Sequence, residues 1–237
     1  MTVKNTLQTA EAQNAMAIYE AGGEQIKLSP AMVKNYLVNG GGNVTDQEVV
    51  MFINLCKFQH LNPFLREAHL IKYGTSPATM VTGKDVFTKR AKRNPNFAGM
   101  QAGIFVLSNG TVVDREGAMA LPGESIVGGW AKVYIKGYEQ PIYAAVGFDE
   151  YAGRKSNGEL NSQWASKPAT MIRKVALVQA LREAFPEDFE GLYSPEEIKE
   201  GNEALDYSAA PIKVPEQTEV VEAEVVENPA DVLFGEA

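Results

Sequence analysis

Cysteine and histidine are scarce in this chain: Cys56 is its one thiol, and His60 and His69 are its two imidazoles, in 237 residues. One cysteine excludes an internal disulfide, and so few soft donors make no recognisable zinc set, so a reducing intracellular setting is expected. Nowhere do about 18 apolar residues run together. The opening MTVKNTLQTAEAQNAM has neither a basic region nor an apolar one, which argues against a membrane span and a secretory signal. A phosphate-cradling loop is missing too. Val81-Thr82-Gly83-Lys84-Asp85 contains a Gly-Lys pair, but the GxxxxGK[ST] pattern needs glycine where Ala78 stands and Ser or Thr where Asp85 stands. Catalytic sets are equally thin. Cys56 reads as a small core hydrophobe on a helix, His60 as a helix C-terminal residue and His69 as a strand residue. The adjacent acids Asp149 and Glu150 point apart on a strand or turn, which supports no two-metal site. Neither covalent chemistry nor a cofactor is expected.

Charge is present, but unevenly placed. The net charge of -8 divides into -1 over residues 1–65, +7 over residues 66–182 and -14 over residues 183–237. A basic middle concentrates polyanions near its surface even in an acidic protein, so nucleic acid stays in play.

The chain divides into a polar, loosely attached arm over 1–28, one folded domain over 29–200 and an acidic tail over 201–237. The tail's composition buries too little surface to order itself. In the domain, Ser29-Pro30 opens a helix that runs to the glycines at 40–42, and Thr45 with Glu48 makes a capping box for a second helix ending at Asn62-Pro63. Strands are expected at 68–72, 79–82, 104–107, 127–135 and 142–148, joined as an antiparallel meander with a hairpin turn at Ser108-Asn109-Gly110-Thr111. Two further helices fall at 84–94 and 168–185. The fold class is α+β: a small antiparallel sheet of three or more strands packed with helices, and a disordered acidic C-terminal tail.

On the 84–94 helix, Val86, Phe87 and Ala91 form one arc and Lys89, Lys92 and Arg93 the other, a cationic stripe that is either a solvated face or a binding face. Arg90 falls inside the apolar arc, where its guanidinium needs a partner or a groove. The 168–185 helix is apolar around almost its whole circumference, yet carries Arg173 and Arg182. Buried arginines need partners, either acids of the same domain or phosphates that match the guanidinium fork. Nine residues apart, the two project in opposite directions, so at most one faces a given groove.

These residues stand in a familiar order. Leu61-Asn62-Pro63-Phe64 leads into Arg66-Glu67-Ala68-His69-Leu70-Ile71-Lys72. Val81-Thr82-Gly83-Lys84-Asp85-Val86-Phe87 and the strand pair at Ala131-Lys132-Val133-Tyr134-Ile135 and Pro141-Ile142 follow. Then come Trp164, Lys167-Pro168, Met171, Arg173, Leu181-Arg182-Glu183-Ala184-Phe185, Gly191-Leu192-Tyr193 and Glu196-Glu197. Over roughly residues 45–200 the chain resembles the phage single-strand annealing proteins of the Redβ/RecT superfamily, the Redβ (Bet) branch in particular. The resemblance implies a recombination protein, encoded by phage or prophage and working in the bacterial cytoplasm. Such a protein coats single-stranded DNA made by a 5'-3' exonuclease and pairs it with a complementary strand through an annealed duplex intermediate, without ATP. It implies a homo-oligomer, ring or helical filament, with DNA in a basic groove, and a host single-stranded DNA-binding protein as a further partner. By position, Arg182 and Arg173 look like backbone contacts, with Lys72 and Lys167 at the groove. Ala169, Thr170 and Val175 stand where Redβ has basic residues, and Lys174 is a neighbouring substitute. With the helix stripe and the strand lysine, the DNA-binding candidates are Lys72, Lys84, Lys89, Arg90, Lys132, Lys167, Arg173, Lys174 and Arg182.

An annealing protein holds phosphates and leaves base edges free, because stacking and pairing supply about 1.4 kcal/mol per step. Phe87, Tyr134, Tyr143 and Phe185 fall at core-like positions and are assigned to packing rather than to base stacking. The acidic tail reads either as a solubilising extension or, through Asp231-Val232-Leu233-Phe234, as a segment that docks on a partner or competes with DNA. The rival class is an oligomeric scaffold or adaptor whose basic domain pairs with its neighbour's acidic tail; a nuclease is the third option.

Overall fold

A computed structural model describes residues 16–197. Residues 1–15 of the expected arm and the whole of the acidic tail at 201–237 lie outside the described residues.

The rest of the expected arm is a docked hairpin. Strands β1 (Ala17–Ala21) and β2 (Glu24–Leu28) pair antiparallel across Gly22-Gly23, whose φ values of 64° and 88° suit glycine. Tyr19, Ala21, Ile26 and Leu28 are buried, and the Tyr19 hydroxyl donates to the Leu61 carbonyl at 2.8 Å. A lone two-stranded hairpin is marginal in water, so this docking holds it, and that partner is remote in sequence.

Ser29 does cap a helix, accepting from the Met32 amide at 3.2 Å, but the helix is far shorter than expected. Helix α1 (Pro30–Met32) passes into a π-helical turn, Val33–Leu37, and then into β3 (Val38–Asn39). Pairing of Val38 with Leu70 and Asn39 with Ile71 captures the chain before Gly40. Helix α2 (Asp46–Phe58) carries the capping box, with both of its hydrogen bonds made. Cys56 is buried in this helix, and burial pushes its thiol up to about 12, as befits a core residue.

After a 3-10 turn at Pro63–Leu65, β4 (Ala68–Ile71) and β5 (Thr79–Thr82) join β3 in a three-stranded sheet, with β3 parallel to β4 and β5 antiparallel. Helix α3 (Lys84–Arg93) follows. The second sheet is antiparallel and has four strands, β6 (Phe97–Ser108), β7 (Thr111–Glu116), β8 (Ser125–Ile135) and β9 (Ile142–Gly147), in the order β7-β6-β8-β9. The turn at Asn109-Gly110 has φ values of 50° and 77°, the left-handed pair that a two-residue hairpin needs. The expected meander fails at one step: β8 crosses to the far side of β6 and leaves β7 at the edge.

Short helices α4 (Phe148–Tyr151) and α5 (Ser162–Ser166) lead to α6 (Pro168–Ala184). Helix α6 buries Ile172, Val175, Ala176, Leu177, Val178, Ala180 and Leu181, and packs across β6, β8 and β9. At Gly129 a Cβ would sit 2.6 Å from the Ile172 carbonyl oxygen, so glycine sets how closely helix and sheet approach. Phe87 of α3 stacks on Phe189 at 5.4 Å, and Trp164 meets Phe148 edge-on at 5.5 Å.

Gly129→Ala is expected to lower stability by about 1–3 kcal/mol, the usual cost of overpacking. Gly147→Ala, where an added Cβ meets nothing within 4 Å, is the tolerated control; chemical denaturation of both compares them. Glu48 offers a pH test. Its carboxylate accepts from Lys72 Nζ at 2.7 Å, from Thr45 N at 2.8 Å and from Ala78 N at 2.7 Å. These bonds, the Lys72 ammonium first, hold its pKa down at about 2. Because the folded value lies below the unfolded one, the stabilisation is present above the ordinary carboxylate range and is lost as pH falls towards about 2. Glu48→Gln should lower stability at neutral pH and flatten the acid limb of a pH–stability curve.

Candidate nucleic-acid interface

The turn from β5 into α3 brings three of the sequence-derived cations, Lys84, Lys89 and Lys174, to one place. Gly83 caps α3 with no side chain of its own, and there a Cβ would fall 2.8 Å from the Arg66 carbonyl oxygen. Arg66 itself sits at φ 61°, at the end of a turn capped by Asn62, whose Oδ1 accepts from Phe64 N at 3.0 Å. These two close turns frame an open cavity of about 370 Å³ at the α3 N-terminus, with Arg66, Lys84, Lys89, Lys174 and Pro195 in its lining. Two acids, Glu67 and Asp85, also line it, and Glu67 pairs with Lys89 at 2.8 Å. Burial first, and the neighbouring Arg66 guanidinium second, push His69 down to about 4, so this cavity residue is neutral at physiological pH.

Helix α6 continues the basic surface. Lys174 pairs with Glu196 at 2.7 Å and Arg182 with Glu197 at 2.7 Å. The Arg182 guanidinium also donates to the Leu192 carbonyl at 3.2 Å and lies 4.8 Å from the centre of the Tyr193 ring. The segment after α6 thus folds back along it and seats two carboxylates on the two cations. Glu196 is buried, and its Oε2 has no hydrogen-bond partner among the described residues.

The nine candidates separate into distinct environments. Lys84, Lys89 and Lys174 share the cavity, with Arg182 eight residues beyond Lys174 on the same helix. The others do not join them. Lys72 is 6% exposed, pairs with Glu48 at 2.7 Å and does not line the cavity. Arg90 finds partners inside the fold, donating to Gln59 Oε1 at 2.7 Å, to the Asp188 carbonyl at 2.8 Å and to the Gln59 carbonyl. Arg173 donates through Nε to the Ala102 carbonyl of β6 at 3.0 Å, which ties α6 to the sheet. Arg182 meets Leu192 and Glu197 instead of the sheet. Lys167 is exposed at the junction of α5 and α6. Lys132 lies on the opposite face of the four-stranded sheet, with its Nζ 5.5 Å from the Trp130 ring centre and 6.0 Å from that of Tyr143.

Sequence reasoning misses Arg66 as a site residue, although it stands inside the Leu61–Lys72 stretch; its left-handed backbone gives no sign in a one-dimensional pattern. Phe87 and Phe185 are buried as assigned. Tyr143 is not, being 49% exposed, and Tyr134 is half-exposed with its hydroxyl donated to Gln101 at 2.8 Å. The alternation that suggested packing holds, but these residues fall on the sheet face that α6 does not cover. Among the described residues no helix is long and apolar enough to cross a membrane.

An uncharacterized protein of Ureaplasma parvum serovar 3 is 29% identical over 198 residues, covering 80% of this chain and 76% of its own length. The model of the RecT family matches residues 23–208, which span the second strand of the docked hairpin, both sheets, the basic cavity and the Glu196–Glu197 segment. With most of the chain matched, the protein belongs to the RecT family, whose members anneal single-stranded DNA in recombination.

Proposed function

We propose that this protein anneals complementary single strands without a nucleotide cofactor, as a homo-oligomer whose phosphate grip is formed by Arg66, Lys84, Lys89, Lys174 and Arg182. The observation that carries this reading is the convergence of four of these cations on one cavity at a helix N-terminus, where backbone amides add to the positive potential. Arg182 extends the grip along α6. Glu196 and Glu197 stand where phosphates would, so a bound strand exchanges one set of anionic oxygens for another. The grip is indifferent to base identity, since none of these groups reads a base edge. Lys167 and the cationic stripe of α3 extend the basic surface at its margins. The motif order further supports the Redβ branch, a phage or prophage origin, and a 5'-3' exonuclease and a host single-stranded DNA-binding protein as partners in the bacterial cytoplasm.

The decisive test mixes two complementary labelled oligonucleotides with the protein and no nucleotide, against a non-complementary pair. Faster pairing of the first pair alone is the expected result. Salt-sensitive self-association with no DNA affinity would instead support a scaffold. Arg182→Ala should weaken binding to every sequence alike and reduce the slope of log affinity against log salt by about 0.7 for each phosphate left without its cation. Glu197→Gln should act in the opposite sense, tightening single-strand binding severalfold in a fluorescence-anisotropy titration, because the Arg182 guanidinium loses a competing charge.

A further inference from the structure

The sheet face opposite α6 carries a second constellation that the phosphate grip does not use. Partners across an antiparallel sheet share a face, and here they place Lys132 opposite Tyr143, Trp130 opposite Gly103 and Asp114 opposite Phe105. Together with Val112 these side chains line an open cavity of about 350 Å³. Gly103 is what allows the indole to lie down: a Cβ there would fall 2.6 Å from Trp130 Cε2. Beside the rings the floor is bare, since Gly128 and Gly147 face one another and a Cβ on Gly147 would meet nothing within 4 Å. Tyr143 and Val112 are 49% and 58% exposed, whereas Trp130 is 6% exposed with an Nε1 that has no hydrogen-bond partner among the described residues.

A flat, partly apolar face with one ammonium held between two rings is complementary to a nucleotide, which pairs a π-surface with a phosphate. We propose that this face is a nucleobase-stacking subsite: an unpaired base of single-stranded DNA lies against Tyr143 and Phe105, with its adjoining phosphate on Lys132. The inference rests on the annealing reading and deepens it. Asp114 would repel a phosphate beside it, so the phosphate falls on the Lys132 side. Glu116, exposed at the end of β7, confines the strand in the same way. Stacking holds a base by its face and leaves its pairing edge outward, so such a subsite serves annealing instead of opposing it. It is also tolerant of sequence, because every base has a π-face.

The test titrates the full chain with oligothymidylate and with an abasic backbone of equal length. Wild-type protein should prefer the thymidine oligomer. Tyr143→Ala should weaken thymidine binding about five- to hundredfold and leave abasic binding unchanged. Tyr143→Phe should keep the preference, and Lys132→Gln should reduce affinity for both probes. Because Tyr143 is a surface residue, its loss does not endanger the fold. Unchanged thymidine affinity in Tyr143→Ala overturns the subsite, and if Arg182→Ala still weakens both probes, the phosphate grip survives that failure. A change in assembly mass with base preference intact also overturns it, because the face is then a contact between copies. Absence of wild-type affinity for either probe ends the annealing reading and the subsite together.

Discussion

Helix α6 lies close enough to the four-stranded sheet that β8 must offer a glycine beneath the Ile172 carbonyl, and Arg173 pins the helix by donating to the β6 backbone. A helix buried on nearly every side has little surface left for charge. Apart from Arg173, its cations Lys174 and Arg182 meet the returning segment at 192–197. Through Lys174, α6 reaches the cavity at the N-terminus of α3. The basic cavity is therefore a product of packing, with cations drawn from three separate stretches of chain.

An acidic protein can hold a polyanion if its basic groups are sorted. Lys72, Arg90 and Arg173 are consumed inside the fold, by a carboxylate, an amide with backbone carbonyls, and a carbonyl respectively. Lys89, Lys174 and Arg182 are satisfied instead by side-chain carboxylates along the cavity and the α6 edge. Removing one partner of a half-buried pair leaves a charge poorly solvated, whereas replacing a carboxylate with a phosphate keeps the pair intact.

The two faces of the sheet differ in chemistry. On one side α6 and α3 present ammonium and guanidinium groups, which report only the presence of a backbone. On the other, aromatic rings and glycines line an open cavity. The separation follows from the two-residue alternation of β8: Ala131 and Val133 are buried under α6 while Trp130 and Lys132 point away.

Sequence by itself determined the capping box at Thr45 and Glu48, the Asn109-Gly110 hairpin turn, the ends of α3 and α6 to within a residue, and the basic middle of the chain. These are local: each depends on neighbours within a few residues, on caps, prolines and periodicity. It also brought out the chain's likeness to the annealing proteins through motif order. What only the tertiary structure decided is non-local. Docking on Leu61 turned the expected loose stretch at 17–28 into a hairpin, parallel pairing with β4 cut α1 short, and burial decided which cations were structural. A helical wheel shows that Arg173 and Arg182 point apart, but not which of them meets the sheet. Tyr143 obeyed the alternation of a buried strand, yet no period reveals which face a helix will cover. Side-chain direction is set by the local backbone, while the partner it meets is set by elements far away along the chain.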